Sequence, residues 1–259
     1  MYSLKRGATS VSDATRKLFA DLIRLSFGAG KPDEQENLLD ILELVAVHCG
    51  EKPAHLQGKG QHDDATLDAI EALALRHGLI ARRTVPMPTW THRAPRIDPG
   101  YAAWQAANER TGGPGVLWVY RDPALASRID DVLTGSRRAG EVLGYPECCE
   151  MQHSEKSLRL TEGLERGLRE QHGATNTEDL IRFSIEDRGV QLDLDPSEGM
   201  AESMAAFPFV QFFACANCVG TAGSPAAKVN AAMRSLAFAL DPALASSITA
   251  SGWSGALPP

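Results

Sequence analysis

A chain of 259 residues, 43% hydrophobic and 23% charged, has the composition of an ordinary globular protein and can bury a large core without metals or disulfides. Its net charge of −7 lacks the basic footprint of a general nucleic-acid binder, and no apolar run approaches the ~20 residues that cross a bilayer. The opening residues, Met1 to Gly7, lack the apolar stretch of a signal peptide, so a cytoplasmic location is expected. In that compartment paired cysteines mean metal, cluster or redox chemistry more often than disulfides.

In chain order, the first ~80 residues read as helical. Ser12 suits the N-cap of a helix that runs to Phe27 and stops at Gly28 and Gly30. Asp33 opens a second helix through Leu38, Leu39, Leu42 and Val45, ending near Cys49-Gly50. The polar, Gly-bearing segment from Glu51 to His62 reads as a loop, and a third helix spans Asp64 to His77 with Gly78 as its stop. Leu79 to Val85 reads as a strand. The stretch Pro86 to Pro99, with prolines at 86, 88, 95 and 99, is the best boundary or linker.

A second region follows. Tyr101 to Arg110 reads as helix, and Gly115 to Tyr120 as a strand apolar enough to be buried on both faces. Asp122-Pro123 starts a helix carrying Leu125, Ile129 and Val132, and strand followed by helix is how an α/β unit opens. The octet from Asp122 to Ile129 recurs from Asp241 to Ile248 with one difference, which reads as one helix-start signal used twice. Two charged helices and a short strand near Val190 to Leu194 fill the span from Glu155 to Asp195. The aromatic run Phe207 to Phe213 leads into Cys215, and Ser224-Pro225 starts a long helix through Val229, Met233, Leu236 and Leu240. The expected architecture is α/β or α+β: a helical region over 1–85, a cysteine-bearing region over 100–250, and a disordered tail over 251–259.

Chemistry concentrates in the cysteines. Cys148 and Cys149 are adjacent, and Cys215 and Cys218 form a Cys-x-x-Cys pair, so the two pairs read as one site. Gly144 ends a short helix begun at Ser136, and Pro146 suits the first position of the next. That places Cys148 and Cys149 in a first helical turn, where the positive dipole end favours thiolate. Cys215 and Cys218 precede Gly220 and Gly223, whose loop N–H groups can donate to sulfur.

Three readings follow. Neighbouring helical side chains diverge by roughly 100°, which suits ligands to different irons of a cluster better than two ligands to one zinc. An iron–sulfur cluster, 4Fe-4S favoured, therefore stands first. Zinc stands second, with His153 able to share a helix face with Cys149 at i,i+4. A thiol–disulfide pair stands third. A cluster implies redox, sulfur-transfer or Lewis-acid chemistry on a small molecule, with a small-molecule substrate or a sulfur or electron donor as partner, and no nucleic acid or membrane. Zinc implies a structural or interaction module.

The order of a strand ending in Tyr120-Arg121-Asp122, a helix, Leu143-Gly144-Tyr145-Pro146-Glu147-Cys148-Cys149, and a later Cys215 to Ser224 segment resembles a family of prokaryotic proteins with a Leu-Gly-Tyr-Pro-x-Cys-Cys motif and a downstream cysteine pair. The resemblance covers roughly the second half of the chain. It implies a shared iron–sulfur or metal-binding cysteine site, with His153 standing where an aromatic residue is expected.

Other candidates have plainer readings beside the functional one. Glu147, Glu150 and Tyr145 are the catalytic candidates, the glutamates as proton donors beside a cluster and Tyr145 walling the site from water with the Phe207 to Phe213 run. Charge compensation at a helix start is the plainer reading of the glutamates. Arg137 and Arg138 can attract an anionic substrate or serve as a solvated face. His48 beside Cys49, His77 before Gly78, and His62-Asp63-Asp64 all read as ordinary helix ends and starts. The chain has no P-loop, no Gly-x-Gly-x-x-Gly, no Gly-x-Ser-x-Gly and no His-Glu-x-x-His.

Overall fold

A computed structural model describes residues 11–27, 35–58, 64–84, 116–134, 136–185, 190 and 199–250. The expectations for the segment 86–99, the helix over 101–110, residues 191–194 of the short strand, and the tail over 251–259 lie outside these residues.

Among the described residues, three helices and two strands precede the proline-rich stretch: α1 (Asp13–Phe27), α2 (Gln35–Cys49), β1 (Ala54–Gly58), α3 (Asp64–Arg76) and β2 (Ile80–Thr84). The hydroxyl of Ser12 accepts the backbone N–H of Thr15 at 3.2 Å, the N-cap expected of α1. Gly78 takes φ +76 just past α3, a left-handed turn that glycine enters without the Cβ penalty.

β3 (Val116–Tyr120) supplies the third strand and lies between the other two, antiparallel to both, in the order β1-β3-β2. Tyr120 sits opposite Ala54 on one side and Ile80 on the other. Alternation along β3 explains its burial. Leu117 and Val119 join the main core with α1, α2 and α3. Trp118 and Tyr120 face the other way, against Leu125, Ile129, Val142 and Leu143 of α4 (Leu125–Leu133) and α5 (Ala139–Leu143). Helices thus cover both faces of a small antiparallel sheet, which makes the architecture α+β. The strand-to-helix step at Asp122 does not open a parallel unit.

Three further expectations are corrected. The segment read as a loop after Glu51 contains β1, missed because its alternating residues His55 and Gln57 are polar yet buried. The helix expected after Glu155 is the continuation of the cysteine helix, α6 (Glu147–His172). The regions 1–85 and 100–250 are not separate units, since β1 and β2 pair with β3 and one core joins Leu38 to Val47 with Phe209, Met233 and Leu236.

Beyond α6 come α7 (Thr177–Ile185), α8 (Met200–Ala206), α9 (Ala216–Val219), α10 (Pro225–Leu240) and α11 (Pro242–Ala250). Leu168, Ala174, Leu180 and Phe183 form a small separate core between α6 and α7. The recurring octet acts as a start signal at both places: Asp122 Oδ1 accepts from Ala124 N at 2.9 Å, and Asp241 Oδ1 accepts from Ala243 N at 2.9 Å. Among the described residues no helix is long and apolar enough to cross a membrane.

Candidate metal centre

α5 ends at Gly144, which takes φ +78, and the chain turns through Tyr145 and Pro146 into α6. Pro146 occupies the N-cap position, so Cys148 and Cys149 fall in the first turn as expected. α9 is a single turn whose N-cap is Cys215, with Cys218 inside it. Two bonds through one hydroxyl fix this turn to the next helix. Ser224, buried, donates to the carbonyl of Cys218 at 2.9 Å and accepts the N–H of Ala227 at 3.3 Å, capping α10. Ala214 N donates to the buried Ser203 hydroxyl at 2.7 Å, which anchors the approach from α8.

The result is a convergence of all four sulfurs. Their Sγ atoms lie within 4.8 Å of one another. Cys148 and Cys149 are 4.0 Å apart, Cys148 and Cys218 3.5 Å, Cys149 and Cys215 3.9 Å, and Cys149 and Cys218 3.6 Å. Cys149, Cys215 and Cys218 are buried and Cys148 is exposed. Divergence along α6 does not keep the adjacent thiols apart, since their sulfurs lie 4.0 Å from each other. Four cysteines so placed can hold a metal ion.

Backbone N–H groups reach the sulfurs from the helix starts at Cys215 and Ala226 rather than from the glycine-bearing loop, where Gly220 N donates to the Ala216 carbonyl. Cys215 N donates to Cys149 Sγ at 3.4 Å, and the N–H of Ala226 donates to Cys218. Burial pushes the Cys149 thiol well up, and it raises Cys148 too, the opposite of the expected thiolate preference at both. Cys218 goes the other way. Burial opposes its ionisation, but the Ala226 N–H and the neighbouring thiols donate to it and pull it down.

The other predicted residues are distributed around this centre. His153 is exposed on α6, its ring centroid 6.4 Å from that of Phe213, and it is not a member of the convergent group. Glu147 is exposed. Glu150 is buried, with its Oε2 2.8 Å from Arg138 Nε and its Oε1 accepting from Ser154 at 3.0 Å, so its carboxylate is held by an ion pair. Arg137 binds Glu141 at 2.8 Å, the solvated-face reading. Phe207, Phe209 and Phe212 are buried in the core that also holds Cys149, Cys215 and Cys218.

Tyr145 turns away toward a second polar group that sequence reasoning missed. Its ring packs 4.9 Å from Phe212 and lies beneath Lys52 Nζ at 5.1 Å. Burial, with Glu43 and Asp40 nearby, raises its hydroxyl well above the ordinary tyrosine range. Lys52 Nζ is 2.5 Å from Glu43 Oε2, His55 Nδ1 is 3.1 Å from the same oxygen, and Gln211 donates to Asp40 Oδ1 at 2.6 Å. Asp40, Glu43, Lys52 and His55 are each at most 7% exposed. Burial opposes the charge on Glu43, but Lys52 and His55 overcome it and hold the carboxyl at about 2. The sequence carried a faint signal here, since Asp40 and Glu43 interrupt the otherwise apolar face of α2.

The chain matches no protein-family model, no curated protein and no solved structure.

Proposed function

We propose that the four thiols hold one zinc ion, and that this ion is structural: it closes the start of α6 onto α9 and braces the core around them. The observation carrying this reading is the sulfur spacing. A tetrahedron with metal–sulfur bonds of ~2.3 Å has edges of about 3.8 Å. Four of the six separations run from 3.5 to 4.0 Å around that edge, and all six lie within 4.8 Å. Four protein ligands also leave no open position, the arrangement of structural rather than catalytic zinc. Cys148, Cys149, Cys215 and Cys218 would be the ligands.

The iron–sulfur reading, with its redox, sulfur-transfer or Lewis-acid chemistry, is supported by the N–H donors to Cys149 and Cys218 and by the apolar wall. It requires the sulfurs to move apart, because each would bind a different iron of a polynuclear core. The same ligand set extends the proposal to the family resembling this chain through Leu-Gly-Tyr-Pro-x-Cys-Cys.

Anaerobic purification followed by metal and acid-labile sulfide analysis separates the two. One zinc per chain, no sulfide and a colourless protein are expected. Iron with stoichiometric sulfide and absorption near ~400 nm would overturn the zinc reading in favour of a cluster.

A further inference from the structure

Away from the tetrathiolate, and sharing no residue with it, a cavity of about 390 Å³ opens where three helices and the sheet end together. That volume falls within the ~300–1,000 Å³ typical of small-molecule sites. Its walls come from segments far apart in the chain: Ser12 and Thr15 at the start of α1, His48 and Cys49 at the end of α2, His77 after α3, and Arg121 just past β3.

The lining is polar and connected. Thr15 Oγ1 lies 2.8 Å from Ser12 Oγ and 3.2 Å from His48 Nδ1, and the Cys49 thiol donates to it at 3.8 Å. His77 Nε2 is 3.3 Å from Asp21 Oδ2, and the two imidazoles meet edge to face with centroids 6.2 Å apart. Arg121 donates to the carbonyl of His48 at 3.3 Å while its side chain borders the cavity.

The sign of the charge decides what fits. Arg121 is a permanent cation at the wall, and no carboxylate is among the described lining residues. Asp21 stands behind His77 and is already matched by Lys17 at 2.8 Å and Arg24 at 3.1 Å. Glu51 lies close enough to act on the Cys49 thiol, and Asp13 sits in the first turn of α1, but neither lines the cavity. Burial lowers His48, and His77 and Arg121 push it further the same way, as positive surroundings do. A ligand with its own negative charge relieves that crowding, whereas a cation adds to it.

We propose that this cavity binds a small molecule bearing a carboxylate or phosphate group. Arg121 anchors the anion, His48 and His77 orient it, and Val11 and Leu79 contact its apolar part.

Cys49 provides the test, because its half-buried thiol reports on what enters. The folded protein as purified is alkylated with iodoacetate and, separately, with iodoacetamide, and modification at Cys49 is quantified by peptide mass. The rate ratio of the anionic to the neutral reagent is compared with that of the same thiol in denaturant. A site that concentrates anions should raise that ratio by about tenfold, and inorganic phosphate or succinate should slow the reaction saturably. Competition by phosphate alone or by succinate alone identifies which anion the site takes. Arg121→Gln should return the ratio to its denatured value. An unchanged ratio in the folded wild type, with no protection by either anion, overturns the proposal. Since Arg121 also caps α2, a second measurement uses the wild type only: the ring resonances of His48 and His77 should shift saturably with phosphate or succinate, and their failure to move with both also overturns it.

Discussion

Two polar groups lie in or against the same core and solve the problem of burial differently. The carboxylates Asp40 and Glu43 meet Lys52 and His55 within the protein, so the set supplies its own counter-charges. The thiols of Cys148, Cys149, Cys215 and Cys218 meet one another and backbone N–H groups. Among the described residues no histidine, aspartate or glutamate joins them in the convergent group. One set carries charges of both signs within the protein. The other can hold a metal ion, and the difference tells which perturbations each should fear.

The largest effect is expected from removing the metal. Chelation, or replacement of Cys149 by Ala, should abolish metal binding and lower stability by upwards of about 4 kcal/mol, the linkage value for metal present at a thousand times its Kd. Thermal unfolding of the loaded and stripped protein, alongside metal analysis, checks this. Equal melting temperatures would show that the site does not brace the fold.

Lys52→Met attacks the self-sufficient set. It leaves Glu43 buried with one partner lost, and breaking a buried pair costs ~3–5 kcal/mol. His55 still holds the same oxygen at 3.1 Å, so the low end, about 3 kcal/mol, is expected from urea unfolding. Metal content should not change. If Lys52→Met cost under about 1 kcal/mol, the pair would be behaving as an exposed one.

Acid separates the two groups further. Glu43 is held at about 2, below its ordinary 4.5. Its contribution is therefore complete above about pH 4.5 and is lost as pH falls toward 2, with about 2 kcal/mol gone near pH 3. The wild type minus Glu43→Gln difference in stability, followed from pH 6 to pH 3, should shrink by that amount. Acid release of the metal affects both proteins and cancels.

The two groups also differed in how they could be read from sequence. Cysteine pairing is local, so adjacency at 148–149 and the two-residue gap at 215–218 announce a site before any fold is known. Ser12, Gly78, Gly144 and Ser224 are likewise short-range signals, and the elements they delimit lie where those signals put them. His55 and Gln57 carry no such signal. Their burial depends on facing α2 across β1, a register that only pairing with β3 establishes, and so β1 reads as a loop. The pocket residues His48, Cys49, His77 and Arg121 each look like ordinary element ends, and only the packing of those ends makes them neighbours. Sulfur spacing, too, depends on how α9 meets α6, which is why adjacency alone pointed toward a cluster.

The smallest difference, that between two glycine variants, is expected where the two groups touch through the backbone. Gly144 has φ +78, and a Cβ there would meet Pro53 Cδ at 2.8 Å, next to Lys52 on one side and leading to Tyr145 on the other. Two costs overlap at this position: the left-handed backbone and the contact with a rigid proline ring. Gly78 separates them, for it has φ +76 with nothing within 4 Å of its added Cβ. Gly78→Ala should cost about 1 kcal/mol from backbone strain alone. Gly144→Ala should cost about 1–2 kcal/mol more, since the proline ring cannot rotate aside. Metal stoichiometry should survive both, because neither change touches a sulfur. Equal losses at the two glycines would mean that β1 shifts freely from the motif, and the link that Tyr145 makes between the ionic set and the thiols would then be slack. A larger loss at Gly144 with full metal content would show the two groups held in register by the close approach of Pro53 while remaining chemically independent.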